Sequence, residues 1–141
     1  MTNIYEMEYN VNNRDFVVAG DVSRIIKRTL QRIGVDPKIV RRVAIASYEA
    51  EMNIAIHSNG GRISAKIDTD KVLVCTQDFG PGIPDIDLAM TEGWSTATAE
   101  IREMGFGAGM GLPNMKKCSD VFEIDSQVPQ GTTIKMTFWL T

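Results

Sequence analysis

The chain has 141 residues, of which 43% are hydrophobic and 23% are charged, and its formal net charge at pH 7 is −3. These values are typical of one soluble globular domain with a single core, and they give no electrostatic reason to expect nucleic acid as a partner. The apolar runs are too short for a membrane span, and the N-terminus has two glutamates where a secretory signal has basic residues. We therefore expect a cytoplasmic protein that does not enter a membrane.

The chain begins with strand-like residues and then changes to a helical pattern. Tyr5–Val11 and Phe16–Ala19 predict two short strands that form an edge hairpin. Asp21 can cap a helix whose apolar residues recur with a period near 3.6 residues. Gly34 is the expected end of that helix.

A second helix and a hairpin follow. Asp36 as N-cap and Pro37 in the first turn predict a helix that runs towards His57. Alternation in Arg62–Ile67 and the apolar run Val72–Cys75 then predict two paired strands. The sheet is thus expected to follow the helices in the chain.

The remaining third of the chain mixes polar loops with regular elements. Asp85–Met90 predicts a short helix, and the polar stretch Thr91–Met104 predicts a long loop. A further helix is expected near Leu112, followed by strands at Val121–Val128 and Thr132–Leu140. No repeat or linker divides the chain, so we predict one domain over residues 1–141.

Three segments carry candidate chemistry, and the first lies on the second helix. Residues four apart in a helix share a face, so Glu49, Asn53 and His57 are expected side by side, with Glu51 pointing away from them. An amide oxygen is a suitable ligand for Mg²⁺, and a carboxylate can accept a proton from a hydroxyl. For this segment alone, the solvated stripe of an amphipathic helix is the simpler interpretation.

The second segment, Asp78-Phe79-Gly80-Pro81-Gly82, follows a predicted strand. A carboxylate there can accept a hydrogen bond from the amine of adenine, whereas the carbonyl of guanine would place two acceptors face to face. The glycines allow the backbone to approach a flat base closely. A plain strand-to-helix turn would also use Gly and Pro.

The third segment is the glycine-dense stretch from Gly105 to Asn114. Glycines that open a helix leave backbone N–H groups free to bind phosphate oxygens, although a glycine-rich loop without a ligand has the same composition. The chain has no GxxxxGK[ST] sequence, which excludes a P-loop, and the glycines do not follow a strand, which argues against a Rossmann site.

In this order and spacing the three segments resemble the N, G1 and G2 boxes of the GHKL ATPase superfamily, and Gly131-Thr132-Thr133 resembles its fourth element. The resemblance extends from about Asp21 to the C-terminus. It is closest to the bacterial anti-sigma-factor and switch-protein serine kinases, a likeness to which Gly93-Trp94-Ser95-Thr96 adds. It implies an α+β, two-layer α/β sandwich with a mixed, mainly antiparallel sheet and helices on one face.

The resemblance also implies roles for single residues. Glu49 would be the general base, Asn53 the magnesium ligand and Asp78 the adenine contact. Arg102, in a lid formed by Thr91–Met104, would stabilise the transferred phosphoryl group, although an exposed loop arginine is the simpler interpretation. The other expected contacts to ATP are Gly80, Gly82, Ile83, Gly107, Ala108, Gly109, Met110, Gly111, Leu112 and Thr132.

These roles imply an ATP- and Mg²⁺-dependent serine/threonine protein kinase that phosphorylates a small antagonist protein. The alternative is a nucleotide-sensing protein that sequesters a sigma factor or signalling enzyme without phosphoryl transfer. A metabolic ATP hydrolase is disfavoured because no separate substrate domain is seen. Homodimerisation through the N-terminal strands is a further hypothesis.

Overall fold

The computed structural model describes residues 5–11, 20–57, 60–80, 82–83, 85–90 and 111–140. In chain order the elements are β1 (Tyr5–Val11), α1 (Asp21–Arg32), α2 (Pro37–His57), β2 (Gly61–Ile67), β3 (Lys71–Asp78), α3 (Ile86–Ala89), α4 (Gly111–Cys118), β4 (Val121–Gln127) and β5 (Gly131–Trp139). None of the helices in these ranges is long and apolar enough to cross a membrane.

The five strands form one sheet in the order β1-β2-β3-β5-β4. Every neighbouring pair in it is antiparallel, including the hairpins β2-β3 and β4-β5. β3 lies at the centre, and its last residue, Asp78, is paired in register with Gly61 of β2. The predicted α+β class with a mainly antiparallel sheet is confirmed.

The core lies between the helices and one face of this sheet. Buried and more exposed residues alternate along β2 and β3, as expected for a sheet covered on one side. The buried sheet residues include Ile63, Ile67, Val72, Val74, Ile134, Met136 and Phe138, and the helices contribute Ile26, Leu30, Val43, Ala50 and Ile54. Of the helices, α2 packs against both α1 and α4.

The start of α1 differs from the prediction. Asp21 is not the N-cap: Gly20 takes that place with φ 101°, and Asp21 lies in the first helical turn. The N–H groups of Val22 and Ser23 instead donate to the carboxylate of Glu51, over 3.2 and 3.1 Å. A buried acid on α2 therefore satisfies the N-terminus of α1, a site where negative charge is favourable.

The other predicted boundaries agree closely with the structure. The side chain of Asp36 accepts a hydrogen bond from the N–H of Lys38 at the start of α2, as predicted for an N-cap. β3 is longer than the predicted Val72–Cys75 and ends at Asp78. β1 pairs with β2, and because Phe16–Ala19 lies outside the described residues, the proposed edge hairpin stays a prediction.

Candidate active site

The first group of predicted site residues lies where α2 meets α4. Glu49 and Asn53 are half-buried and one turn apart on α2, as predicted, whereas the side chain of His57 is outside the described part of the chain. Glu49 also borders a cavity of about 310 Å³ between α1 and α2. The cavity is lined by Ser23, Arg24, Lys27, Ala44, Ile45, Tyr48 and Glu49.

The carboxylate of Glu49 lies against the first turn of α4. A Cβ atom at Gly111 would be 3.3 Å from Oε2 of Glu49, and the side chain of Asn114 forms a hydrogen bond with the same carboxyl group. Burial raises the pKa of Glu49, and the hydrogen bond from Asn114 opposes that rise. Asn114 was not among the predicted site residues, although its position one turn after Gly111 on the predicted helix places both on one face.

The second group of site residues lies at the end of β3. Asp78 is 9% exposed, and its Oδ1 accepts hydrogen bonds from the N–H groups of Gly80 (3.0 Å) and Thr132 (3.2 Å). Burial raises the pKa of Asp78, and these two backbone hydrogen bonds oppose the rise. The structure thus brings Thr132 next to Asp78 and Gly80, which lie more than fifty positions earlier in the sequence.

Ser126 of β4 joins this group, although it was not among the predicted site residues. Its Oγ accepts a hydrogen bond from the N–H of Ile83 over 2.6 Å and lies 2.9 Å from Oγ1 of Thr132. It also lies 3.3 Å from the carbonyl oxygen of Gly131. One hydroxyl group therefore ties the turn after β3 to the start of β5.

Two glycines are required by the close approach of backbone segments here. At Gly131, with φ 143°, a Cβ atom would overlap the carbonyl oxygen of Asp78. At Gly82, with φ 82°, it would lie 2.9 Å from the carbonyl oxygen of Gln127. Any side chain at either position would force the strand ends apart, so both glycines are structural requirements of this group.

Part of the predicted site is not described by the structure. Arg102, Gly107, Ala108, Gly109 and Met110 lie outside the described residues, and their roles stay predictions. The next two predicted residues are placed: Gly111 begins α4 and is half-buried, and Leu112 is buried.

The residues available for a metal are oxygen donors of the kind that Mg²⁺ prefers. Within the described ranges there is no group of three or more His, Cys, Asp or Glu side chains that could hold a metal ion. Mg²⁺ commonly takes only one or two protein ligands when it binds together with a phosphate-bearing substrate. The carboxamide of Asn53, half-buried on the face of α2 that carries Glu49, fits that kind of site.

Comparison with known proteins decides the family. The profile of the histidine kinase-like ATPase domain matches residues 17–138. This chain belongs to that family. The match includes Glu49, Asn53, Asp78, the glycine-dense stretch and Thr132.

Several named proteins align with most of this chain. It is 32% identical over 130 residues to the serine/threonine-protein kinase RsbT of Bacillus subtilis (strain 168), covering 89% of this chain and 90% of that protein. It is 32% identical over 113 residues to an anti-sigma F factor of Thermoanaerobacter sp. (strain X514), covering 75% and 76%. An anti-sigma F factor of Caldanaerobacter subterraneus subsp. tengcongensis is 31% identical with the same coverage.

These relatives confirm the resemblance inferred from the sequence. The histidine kinase-like ATPase fold, the use of ATP and the class of serine/threonine protein kinase all agree with them. A protein partner is likewise in keeping with relatives that are protein kinases and anti-sigma factors.

Proposed function

We propose that this chain is an ATP-dependent serine/threonine protein kinase that phosphorylates a small antagonist protein, with Glu49 as general base. The observation that carries the proposal is the position of the Glu49 carboxylate against Gly111, the first residue of α4. A helix N-terminus favours phosphate groups, so this acid lies next to the place where a nucleotide triphosphate is best held. Its raised pKa brings it closer to the value that suits a general base near neutral pH.

The chemistry needs one proton acceptor and one leaving group. The hydroxyl oxygen of a serine or threonine forms a bond to the γ-phosphorus, and the hydroxyl proton passes to Glu49. The bond between that phosphorus and the β–γ bridging oxygen breaks, and its electron pair leaves with ADP. The cavity between α1 and α2, which Glu49 borders, is the proposed entry for the incoming side chain.

The phosphate groups are proposed to bind at the start of α4. Gly111 and Leu112 would supply backbone N–H groups, together with the preceding Gly107, Ala108, Gly109 and Met110. Arg102 would stabilise the charge on the transferred group. When Mg²⁺ is bound, it would neutralise phosphate charge, and Asn53 would be its protein ligand.

The adenine base is proposed to bind at the end of β3. Asp78 would accept a hydrogen bond from the adenine amine, and Thr132 would contact the base through water. Within the described residues, both hydrogen bonds to Asp78 reach Oδ1, which leaves Oδ2 for the base. Gly80, Gly82 and Ile83 would line the pocket.

The partner is proposed to be a protein that carries the phosphorylated hydroxyl, and a sigma factor or signalling enzyme is a second candidate partner. Homodimerisation is proposed through β1, which is at the edge of the sheet among the strands that the structure describes, because edge strands can pair with another chain. A monomeric mass by light scattering at micromolar concentration would exclude it. The proposed location is the cytoplasm, where thiols are kept reduced.

A labelling experiment tests the proposal and separates it from sequestration. The chain would be incubated with magnesium, ATP labelled at the γ-phosphate, and the small proteins encoded beside its gene. We expect label on a serine or threonine of one of them, and loss of that label with Glu49→Gln. A stable complex with no labelled protein would show sequestration instead.

A further inference from the structure

The contact between Asn114 and Glu49 is the starting point. Asn114 lies one turn after Gly111 on α4. A Cβ atom at Gly111 would lie 3.3 Å from Oε2 of Glu49, so this face of α4 is next to the carboxyl group with which the Asn114 side chain forms a hydrogen bond. Gly111 offers only backbone to that group, so Asn114 is the α4 side chain that donates to it. Glu49, the proposed general base, is therefore hydrogen-bonded to the helix whose N-terminus is proposed to hold the phosphates.

The chemistry of the two groups fixes the direction of this hydrogen bond. An ionised carboxylate only accepts hydrogen bonds, so the amide nitrogen of Asn114 donates to Glu49. A glutamate has three rotatable bonds and samples many positions unless a partner fixes it. A short amide on a packed helix fixes it better than Arg24 or Lys27, which are long, exposed side chains on α1 across the cavity.

We propose that Asn114 is a positioning residue for phosphoryl transfer: it holds the Glu49 carboxylate towards the acceptor hydroxyl and couples the base to the phosphate-binding helix. This inference rests on the proposed role of Glu49. It assigns Asn114 no contact with ATP or with the protein substrate. Loss of Asn114 should therefore slow transfer without weakening nucleotide binding.

The test is a double-mutant cycle on the full chain, with hydrolysis of magnesium-ATP as the assay. Water then replaces the protein hydroxyl, so no partner is needed. We expect Asn114→Ala to lower kcat about tenfold, the worth of one hydrogen bond to a charged group, with KM for ATP changed less than about twofold. In a Glu49→Gln background the same substitution should change kcat by less than about twofold.

Two further variants guard against a purely structural effect. Asn114→Asp keeps the shape of the side chain but places a second carboxylate beside Glu49, and it should lower kcat at least as much as Asn114→Ala. Lys116→Ala, an exposed position on the same helix, should leave kcat unchanged. NMR spectra of the wild type and the variants would be compared. The side-chain amide signals of Asn114 should be shifted in Glu49→Gln and unchanged in Lys116→Ala.

The outcomes are distinguishable. If Asn114→Ala slows hydrolysis equally with and without Glu49→Gln, or does not slow it at all while Glu49→Gln does, the positioning role is wrong and the proposed function stands. If Glu49→Gln leaves the rate unchanged, the base assignment is wrong and the positioning role falls with it.

Discussion

The two ends of the proposed ATP site are built differently. At the adenine end, backbone N–H groups fix Asp78, and glycines allow the ends of three strands to meet. At the proposed catalytic end, the contact is a hydrogen bond between two side chains, Asn114 of α4 and Glu49 of α2. The donors to Asp78 are backbone groups that a substitution cannot remove, whereas the donor to Glu49 is a side chain that a substitution can remove. Nucleotide binding and phosphoryl transfer should therefore respond to different substitutions.

The largest effect is expected at the catalytic end. Glu49→Gln keeps the shape of the side chain and removes its ability to accept a proton, so the transfer rate should fall about 10²- to 10⁴-fold. The Kd for magnesium-ATP should change less than about threefold, because the adenine end is untouched. Rapid-quench kinetics and calorimetry on one preparation measure both values. An equal loss in affinity would show that the two ends are not separable.

A smaller effect, of the opposite kind, is expected at the adenine end. Asp78→Asn keeps an oxygen for the N–H groups of Gly80 and Thr132 but can turn an amide donor towards the adenine amine. Affinity for ATP should fall about 10- to 100-fold, the cost of losing a hydrogen bond to a charged group. The melting temperature should hold or rise, since the ionised carboxylate is unfavourably buried. A lower melting temperature with intact affinity would contradict this account.

Local sequence patterns account for most of the fold. Periodicity and capping residues place α2 and the strands within a few residues, because they act between neighbours in the chain. The cap of α1 was predicted wrongly because its acceptor, Glu51, is 28 and 29 positions away from the N–H groups that it binds. On a helical wheel Glu51 points away from Glu49, but the wheel gives no information on which element packs against Glu51. That this element is α1 depends on the tertiary fold.

The same distinction explains which site residues were predicted. Glu49 and Asp78 were predicted as site residues because their chemistry and their local context point to a nucleotide, and their roles stay predictions. Ser126 and Asn114 were missed because a serine in a strand and an asparagine in a helix are ordinary on their own. Their partners, Ile83 and Glu49, are 43 and 65 positions away in the chain, and only the tertiary fold brings them together.

Glu51 offers a substitution that should affect stability and neither end of the site directly. It is 2% exposed, and Glu51→Ala leaves the N–H groups of Val22 and Ser23 without their acceptor. The free energy of unfolding should fall by about 2 kcal/mol, measured by urea denaturation. Asp21→Ala, a change at an exposed residue of the same helix turn, should cost less than about 0.5 kcal/mol. Equal losses in the two variants would rule out Glu51 as the cap of α1.

The smallest effect is a pH dependence at the adenine end. The pKa of Asp78 is raised in the folded protein, so the folded state holds the proton more tightly than the unfolded state does. As pH falls from neutral towards this raised pKa, the stability of the wild type should rise relative to Asp78→Asn, while its affinity for ATP falls. Melting temperatures and calorimetry of both proteins across that range provide the comparison. If the wild type instead lost stability relative to Asp78→Asn as pH fell, the pH dependence would have the opposite sign and would contradict this prediction.

The most direct test of an adenine-nucleotide site at Asp78 is a calorimetric titration of the wild-type chain with magnesium-ATP and, separately, magnesium-GTP. The two nucleotides carry the same phosphates and differ at the group that faces the carboxylate. We expect saturable binding of ATP and an affinity for GTP that is at least about tenfold weaker. Equal affinity for the two nucleotides, or no binding of ATP, would contradict it.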